Sequence, residues 1–211
     1  MSSDHPAKPR RRGRPPRAER EAELRVTAIE AAKTLLASGG GGLSMEGLAR
    51  ALGVRAPSLY HHFPGGRDEM IVATAEHYGA LHGDALRAIV DGPGDVVAKL
   101  KAVARYFAEP GQGHPYNMLT EERSQLSEPA RAELRRIFGE RVEAPLLRLI
   151  RQGQSDGRFQ DLDPELCVRT LLTLLLRLGQ FQADDEQRAK LPDFIVDLLV
   201  TGLAGTRPER Q

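Results

Sequence analysis

The sequence predicts an all-α protein, with an N-terminal three-helix domain built around a helix-turn-helix and a larger helical body behind it. Three observations carry that prediction. Apolar residues recur at spacings of three and four along most of the chain, no alternating β-branched run is present, and the Ala, Leu, Arg and Glu content favours helix. Clusters of Gly and Pro cut the pattern into pieces of helix length. At 211 residues, 40% hydrophobic and 28% charged, the chain has the ordinary balance of a globular protein.

Residues 1–17 hold Pro6, Pro9, Pro15 and Pro16 among Lys8, Arg10, Arg11, Arg12, Arg14 and Arg17. Proline breaks helices and so polar a segment buries no core, so this stretch reads as a disordered basic arm. The first helix begins near Ala18, with Leu24, Ala28, Ile29, Ala31, Ala32, Leu35 and Leu36 as its stripe, and the glycines at 39–42 end it. Ser44 then caps a short helix over 45–52 by accepting from the free amides of its first turn. Leu48 and Leu52 lie one turn apart on the inner face, with small Ala49 where a second helix comes close. Gly53 supplies the positive φ of a tight turn, and Val54 buries that turn. In the next short helix Leu59 and Phe63 face inward, which leaves Ser58, Tyr60, His61 and His62 on other faces. Two short helices joined by a glycine turn make a helix-turn-helix, whose second helix enters the major groove of DNA. Hydrogen-bonding rather than acidic residues on the outer face separate it from plain core packing.

Further helices are predicted at roughly 67–90, 95–108, 128–154, 163–183 and 190–204. Asp163-Pro164 reads as an N-cap followed by proline at the first helical position, and Ser127-Glu128-Pro129 is similar. Pro145 falls inside a helical pattern and should kink or split it. Residues 109–115 and 156–157 read as loops, and there is no internal repeat.

Charge is distributed unevenly. Residues 1–67 contain 12 Lys/Arg against 6 Asp/Glu, a balance of +6, while the remainder holds 18 against 23, a balance of −5. A basic front end on an acidic body is the footprint of a nucleic-acid-binding module joined to a different kind of domain. Neither a bilayer-spanning apolar run nor a secretory pattern is present, and the single Cys167 rules out an intramolecular disulfide, so a cytoplasmic location is expected. Nothing in the pattern supports an enzyme, a cofactor or a metal. Adjacent His61 and His62 point about 100° apart on a helix, and His77 and His82, five apart, share no face. The glycines at 39–42 lack the Gly-Lys-Ser/Thr ending of a phosphate loop. Cys167 reads as a small buried hydrophobe.

Three segments carry a family resemblance: Ala28-Ile-Glu-Ala-Ala-Lys-Thr-Leu-Leu, Gly53-Val-Arg-Ala-Pro-Ser-Leu-Tyr-His-His-Phe, and Pro64-Gly-Gly-Arg-Asp-Glu-Met. Together they resemble the N-terminal domain of the TetR family of transcriptional regulators over about residues 20–75, with Leu59-Tyr60-His61-His62-Phe63 the most specific part. The resemblance implies an Ω-shaped helical homodimer that reads a palindromic operator in double-stranded DNA and answers to a small-molecule effector. Carried over by position, Ser44 would contact a phosphate, Tyr60 and His61 the backbone or base edges, and Arg67, where the family usually has Lys, another phosphate. Ala56, Pro57, Ser58 and His62 complete the expected DNA-facing set. Arg55 departs from the pattern, standing where a Ser or Thr cap is usual; it puts one phosphate contact in doubt and can instead reach a phosphate or a guanine edge. Arg12-Gly13-Arg14-Pro15 resembles the core of an AT-hook, with two readings open: Arg12 and Arg14 in a narrow minor groove, or a solvated basic tail.

Behind the DNA-binding domain, taken as 18–66, residues 67–211 are expected to bind an effector and dimerise. Residues 166–178 are Leu-rich, and a matching stripe of Phe194, Ile195, Leu198, Leu199 and Leu203 follows. In TetR-like proteins the last two long helices pair with their symmetry mates, which implies a dimer face with Leu171, Leu175, Leu178, Phe194 and Leu198. Tyr106, Phe107, Tyr116, Met118 and Phe138 are candidates for lining an effector pocket, with His114, Arg177 or Gln180 as polar anchors. An activator, a regulator answering to a partner protein, or a helical interaction module with a nonspecific basic arm are the alternatives to a ligand-responsive repressor.

Overall fold

The computed structural model describes residues 17–37, 43–109, 125–178 and 184–204. The arm's residues 1–16, with Arg12 and Arg14, lie outside them. Every element among the described residues is helical: α1 Arg17–Ala37, α2 Met45–Leu52, α3 Ala56–His62, α4 Gly66–Asp91, α5 Val96–Ala108, α6 Glu128–Phe138, a π-helical turn Gly139–Glu143, α7 Ala144–Ser155, α8 Pro164–Leu176 and α9 Asp185–Ala204.

Two apolar cores organise these helices. In the first, Ala28, Ile29 and Ala32 of α1, Leu48 of α2, Leu59 of α3 and Met70 and Ile71 of α4 pack together with Leu126, Leu134 and Ile137. The packing unit around the helix-turn-helix therefore continues past the 66/67 boundary expected from sequence, because α6 closes it from the body side. The second core joins Leu86 and Val90 of α4 to Val103 and Phe107 of α5, Leu146 and Leu149 of α7, Leu171 and Leu175 of α8 and Ile195 and Val196 of α9. Each fully buried side chain of this kind contributes about 1.5–3 kcal/mol. Across the surface, Arg105 grips Asp193 with two hydrogen bonds of 2.8 and 2.6 Å, tying α5 to α9.

The helix expected over 128–154, with Pro145 kinking or splitting it, is interrupted by the π turn. Pro145 has no N–H to donate to the Arg141 carbonyl, and the backbone widens into the π turn immediately before it. The end of α6 and that turn pack against a notch in α4: a Cβ on Gly79 would stand 2.9 Å from Ile137 of α6, and one on Gly83 would stand 3.2 Å from the Arg141 carbonyl oxygen of the turn. Helix α8 stops at Leu176, and residues 179–183 of the helix expected over 163–183 lie outside the described residues. Helix α9 starts five residues before the expected 190, because Asp184 and Gln187 cap it reciprocally: the Gln187 amide donates to Asp184 Oδ1 at 2.8 Å and the Asp184 amide to Gln187 Oε1. Asp163 caps α8 through the Glu165 and Leu166 amides. Ser127 makes no such side-chain cap; its amide instead donates to Asp68 at 3.0 Å, joining α6 to α4.

Gly153 gives the body its sharpest steric test. A Cβ there would fall 2.2 Å from the buried Phe159 ring, whereas one on Gly139 would meet nothing within 4 Å. Gly153→Ala is expected to cost about 1–3 kcal/mol by overpacking. Gly139→Ala, at a helical φ of −58°, should be neutral or stabilising by less than about 1 kcal/mol. Urea unfolding of the two variants distinguishes them, and equal midpoints would contradict this packing.

Candidate nucleic-acid interface

Local chemistry builds the helix-turn-helix. Ser44 Oγ accepts from the Gly47 amide at 3.0 Å and starts α2; Gly53, at φ +66°, ends it and turns the chain. Arg55 occupies the N-cap of α3 with no side-chain cap bond, and Pro57 sits in the first turn, where a missing amide costs nothing. Leu59 and Phe63 are fully buried. The opposite side of α3 presents Arg55, Pro57, Ser58, Tyr60 and His61 to solvent, with Ala56 and His62 half-buried at its edges. Tyr60, 42% exposed, is backed by Gly66, whose φ of +64° and bare Cα leave 3.4 Å between a would-be Cβ and the tyrosine ring. Exposed Ser44 lies at the start of α2. Arg67 donates from Nε to the Leu43 carbonyl at 2.9 Å, which ties the first turn of α4 to the start of α2. Hydrogen bonds from Ser127, with Arg67's charge, hold Asp68 below the usual carboxylate range.

This head is wired to the body through a polar cluster between the two cores. The Tyr78 hydroxyl donates to Glu30 of α1, His77 lies 3.4 Å from the same carboxylate, and Lys33 sits 4.2 Å above the Tyr78 ring. Burial, then Glu30, push the Tyr78 hydroxyl pKa up. One helical turn on, His82 Nδ1 meets the Tyr106 hydroxyl at 2.6 Å. Burial first, then the Lys33 charge, push the His82 imidazole down to about 4. The unfolded chain, with His near 6.5, therefore binds more protons between about pH 6.5 and 4. The stability tied to keeping His82 neutral is present above that window and lost as pH falls through it. Acidification from about pH 7 to 5 is expected to lower the urea midpoint of the wild type more than that of His82→Gln. Parallel curves would assign the acid sensitivity to other groups.

The expected dimer and pocket residues divide in the structure. Leu171, Leu175 and Leu178 are 3%, 1% and 6% exposed, so they fill the chain's own core instead of facing a partner. The correction is one of helix phase: the open side of α8 carries Leu166, 60% exposed, and α9 presents Phe194 at 59% and Leu198 at 58%. On this side a cleft of about 380 Å³ opens between α8 and α9, floored by Leu100 and Ile150 and walled by Leu166, Cys167, Leu198 and Leu199. Burial pushes the Cys167 thiol pKa up, which keeps it protonated. Of the expected effector residues, the four that are described, Tyr106, Phe107, Phe138 and Arg177, do not line the cleft. Phe107 is buried in the second core, Phe138 packs half-buried against it, Tyr106 pairs with His82, and Arg177 is exposed at the end of α8. His114, Tyr116, Met118 and Gln180 lie outside the described residues. Among the described residues no group of three His, Cys, Asp or Glu could hold a metal, and no helix is long and apolar enough to cross a membrane.

Comparison with known proteins adds an independent line. The sequence model of the family described as bacterial regulatory proteins, tetR family, matches residues 28–74, the stretch from α1 into α4. The HTH-type transcriptional regulator LmrA of Bacillus subtilis (strain 168) is 26% identical over 126 residues, covering 57% of this chain and 67% of that protein. Among solved structures, AibR in complex with isovaleryl coenzyme A and operator DNA superposes with a TM-score of 0.70 at 20% identity, over 86% of this chain and 99% of that one. The ketosteroid transcriptional regulator KstR2 of Mycobacterium tuberculosis gives 0.66 at 18% identity, over 87% and 96%.

Proposed function

We propose that the chain is a TetR-family transcriptional regulator with a DNA-binding helix-turn-helix, which its match to that family over residues 28–74 supports, and that it is a ligand-responsive repressor that grips a palindromic operator as a homodimer in the cytoplasm. The observation that carries the DNA half is the division of α3: Leu59 and the Phe63 that follows it are buried, and Arg55, Ser58, Tyr60 and His61 are left facing out. Arg55 suits a guanine edge or a phosphate, and the others suit phosphates and base edges. Domain roles follow that division, with 18–66 reading DNA, 67–211 sensing and dimerising, and the arm's Arg12 and Arg14 adding backbone or minor-groove contacts.

Leu166, Phe194 and Leu198 support the dimer. Three large apolar side chains exposed together beside an apolar cleft mark a surface that another surface covers. A second copy across a two-fold axis covers it isologously and sets two α3 helices about one DNA turn apart, roughly 34–36 Å or a multiple. AibR's structure holds both an acyl-coenzyme A and operator DNA. By analogy an effector binds the body here and shifts the spacing of the heads. A swing from 1:99 to 99:1 needs about 5.5 kcal/mol of preference for the released state.

Selection from random duplex DNA across a salt series tests the proposal. Recovery of one palindrome with half-sites a helical turn apart is the expected result. Sequence-indifferent binding that vanishes at moderate salt would leave only the basic arm in contact with DNA and would sink it.

A further inference from the structure

Helix α3 has seven residues and no side-chain cap at its start. So short a helix does not hold its own shape in water, and its pose depends on what grips it. Leu59 and Phe63 anchor the inner face, and Gly66 backs Tyr60. A third grip reaches across from α1. Arg25 Nη1 donates to the His62 carbonyl at 2.8 Å, and its guanidinium carbon lies 4.5 Å from the centre of the Phe63 ring.

These contacts fall where α3 most needs them. His62 is its last residue, so this carbonyl is one of the four at the helix end with no intrahelical donor, and it sits at the negative end of the helix dipole. Phe63 follows at once, with φ −136° and ψ 72°, where the chain leaves the helix. One cation thus satisfies a terminal carbonyl and lies over an aromatic ring. Two contacts to consecutive residues fix the tilt of α3 and its rotation about its own axis. A lysine could reach the carbonyl but would bring no plane to the ring.

We propose that Arg25 is a positioning residue for sequence discrimination: it sets the pose of the recognition helix from α1 and is not itself a phosphate contact. The inference rests on α3 being the recognition helix, as above. The two roles of an exposed arginine beside DNA differ in a measurable way. Removing a phosphate contact weakens binding to all sequences alike and makes the log–log salt slope shallower by about 0.9. Removing a positioning contact leaves the slope unchanged and lowers operator affinity relative to unrelated DNA.

Full-length wild type, Arg25→Met and Arg25→Lys are compared on the selected operator and on an unrelated duplex, at salt from about 50 to 300 mM, with the melting temperature of each. Arg25→Met is expected to lose roughly tenfold or more in operator affinity and less than about twofold on unrelated duplex, at unchanged slope. Arg25→Lys falls between it and wild type. Equal losses on both duplexes with a shallower slope would make Arg25 a phosphate contact and overturn the inference. So would a folded Arg25→Met that binds the operator like wild type. If Arg25→Met does not fold, Arg25→Lys decides: wild-type discrimination in that variant overturns the inference, and reduced discrimination supports it. A wild-type chain that selects no sequence at all sinks the parent reading and this one with it, whereas a selective wild type whose Arg25 variants discriminate as well as it does sinks this one alone.

Discussion

A chain carrying Tyr60→Phe together with His61→Ala is expected to bind its operator about a hundredfold more weakly than wild type while unfolding at the same temperature. Both side chains are exposed on the outer face of α3, so truncating them leaves no cavity. Phenylalanine at position 60 keeps the ring that rests on Gly66 and removes only the hydroxyl. Each good contact to a base edge contributes about 1–3 kcal/mol of discrimination, and two such contacts together account for a factor of this size. Gel-shift or anisotropy titration on the selected operator reads the affinity, and circular dichroism the stability. An unchanged affinity would remove Tyr60 and His61 from the interface.

Phe63→Ala should produce the opposite balance, a loss of about 3–5 kcal/mol in unfolding free energy. Phe63 is fully buried, and its ring is the surface on which the Arg25 guanidinium lies. Removing it empties the floor under α3 and frees Arg25 at the same time, so operator binding falls along with stability. The first core spans α1 to α4 and α6, so the damage is not confined to the helix-turn-helix. Urea unfolding followed by circular dichroism measures the loss. A cost below about 1 kcal/mol would mean that Phe63 does not fill the core as described. Read together, the two variants separate contact with DNA from support of the surface that makes it.

Sequence and structure agree most closely where the determining forces are local. Ser44 capping α2, Gly53 turning the chain, and Leu59 and Phe63 four apart were all legible, because each depends on neighbours within about one helical turn. The reciprocal cap of Asp184 and Gln187 was equally local, and its Asp-x-x-Gln spacing was there to find. Arg25 carried no such signal. Its partner carbonyl lies 37 residues away, and an arginine on a helix surface is indistinguishable in sequence from any solvated charge. The Glu30–Tyr78 and His82–Tyr106 pairs are of the same kind, joining helices far apart in the chain.

The leucine-rich α8 marks where sequence stops deciding. A helix apolar on nearly every side is known from sequence to be buried, but not which side meets its own chain. Leu171 and Leu175 point into the second core and Leu166 points out of it only because α5, α7 and α9 occupy one side and leave the other open. By itself the sequence determined the all-helical class, the Ser44 and Asp163 caps, the helix-turn-helix and the residues on its outer face, since helical periodicity and capping act over a few residues. The tertiary structure alone decided which apolar face is spent in the core, where the π turn meets the glycine notch of α4, and what holds α3 in place. Those outcomes are set by packing between segments that chain order does not bring together.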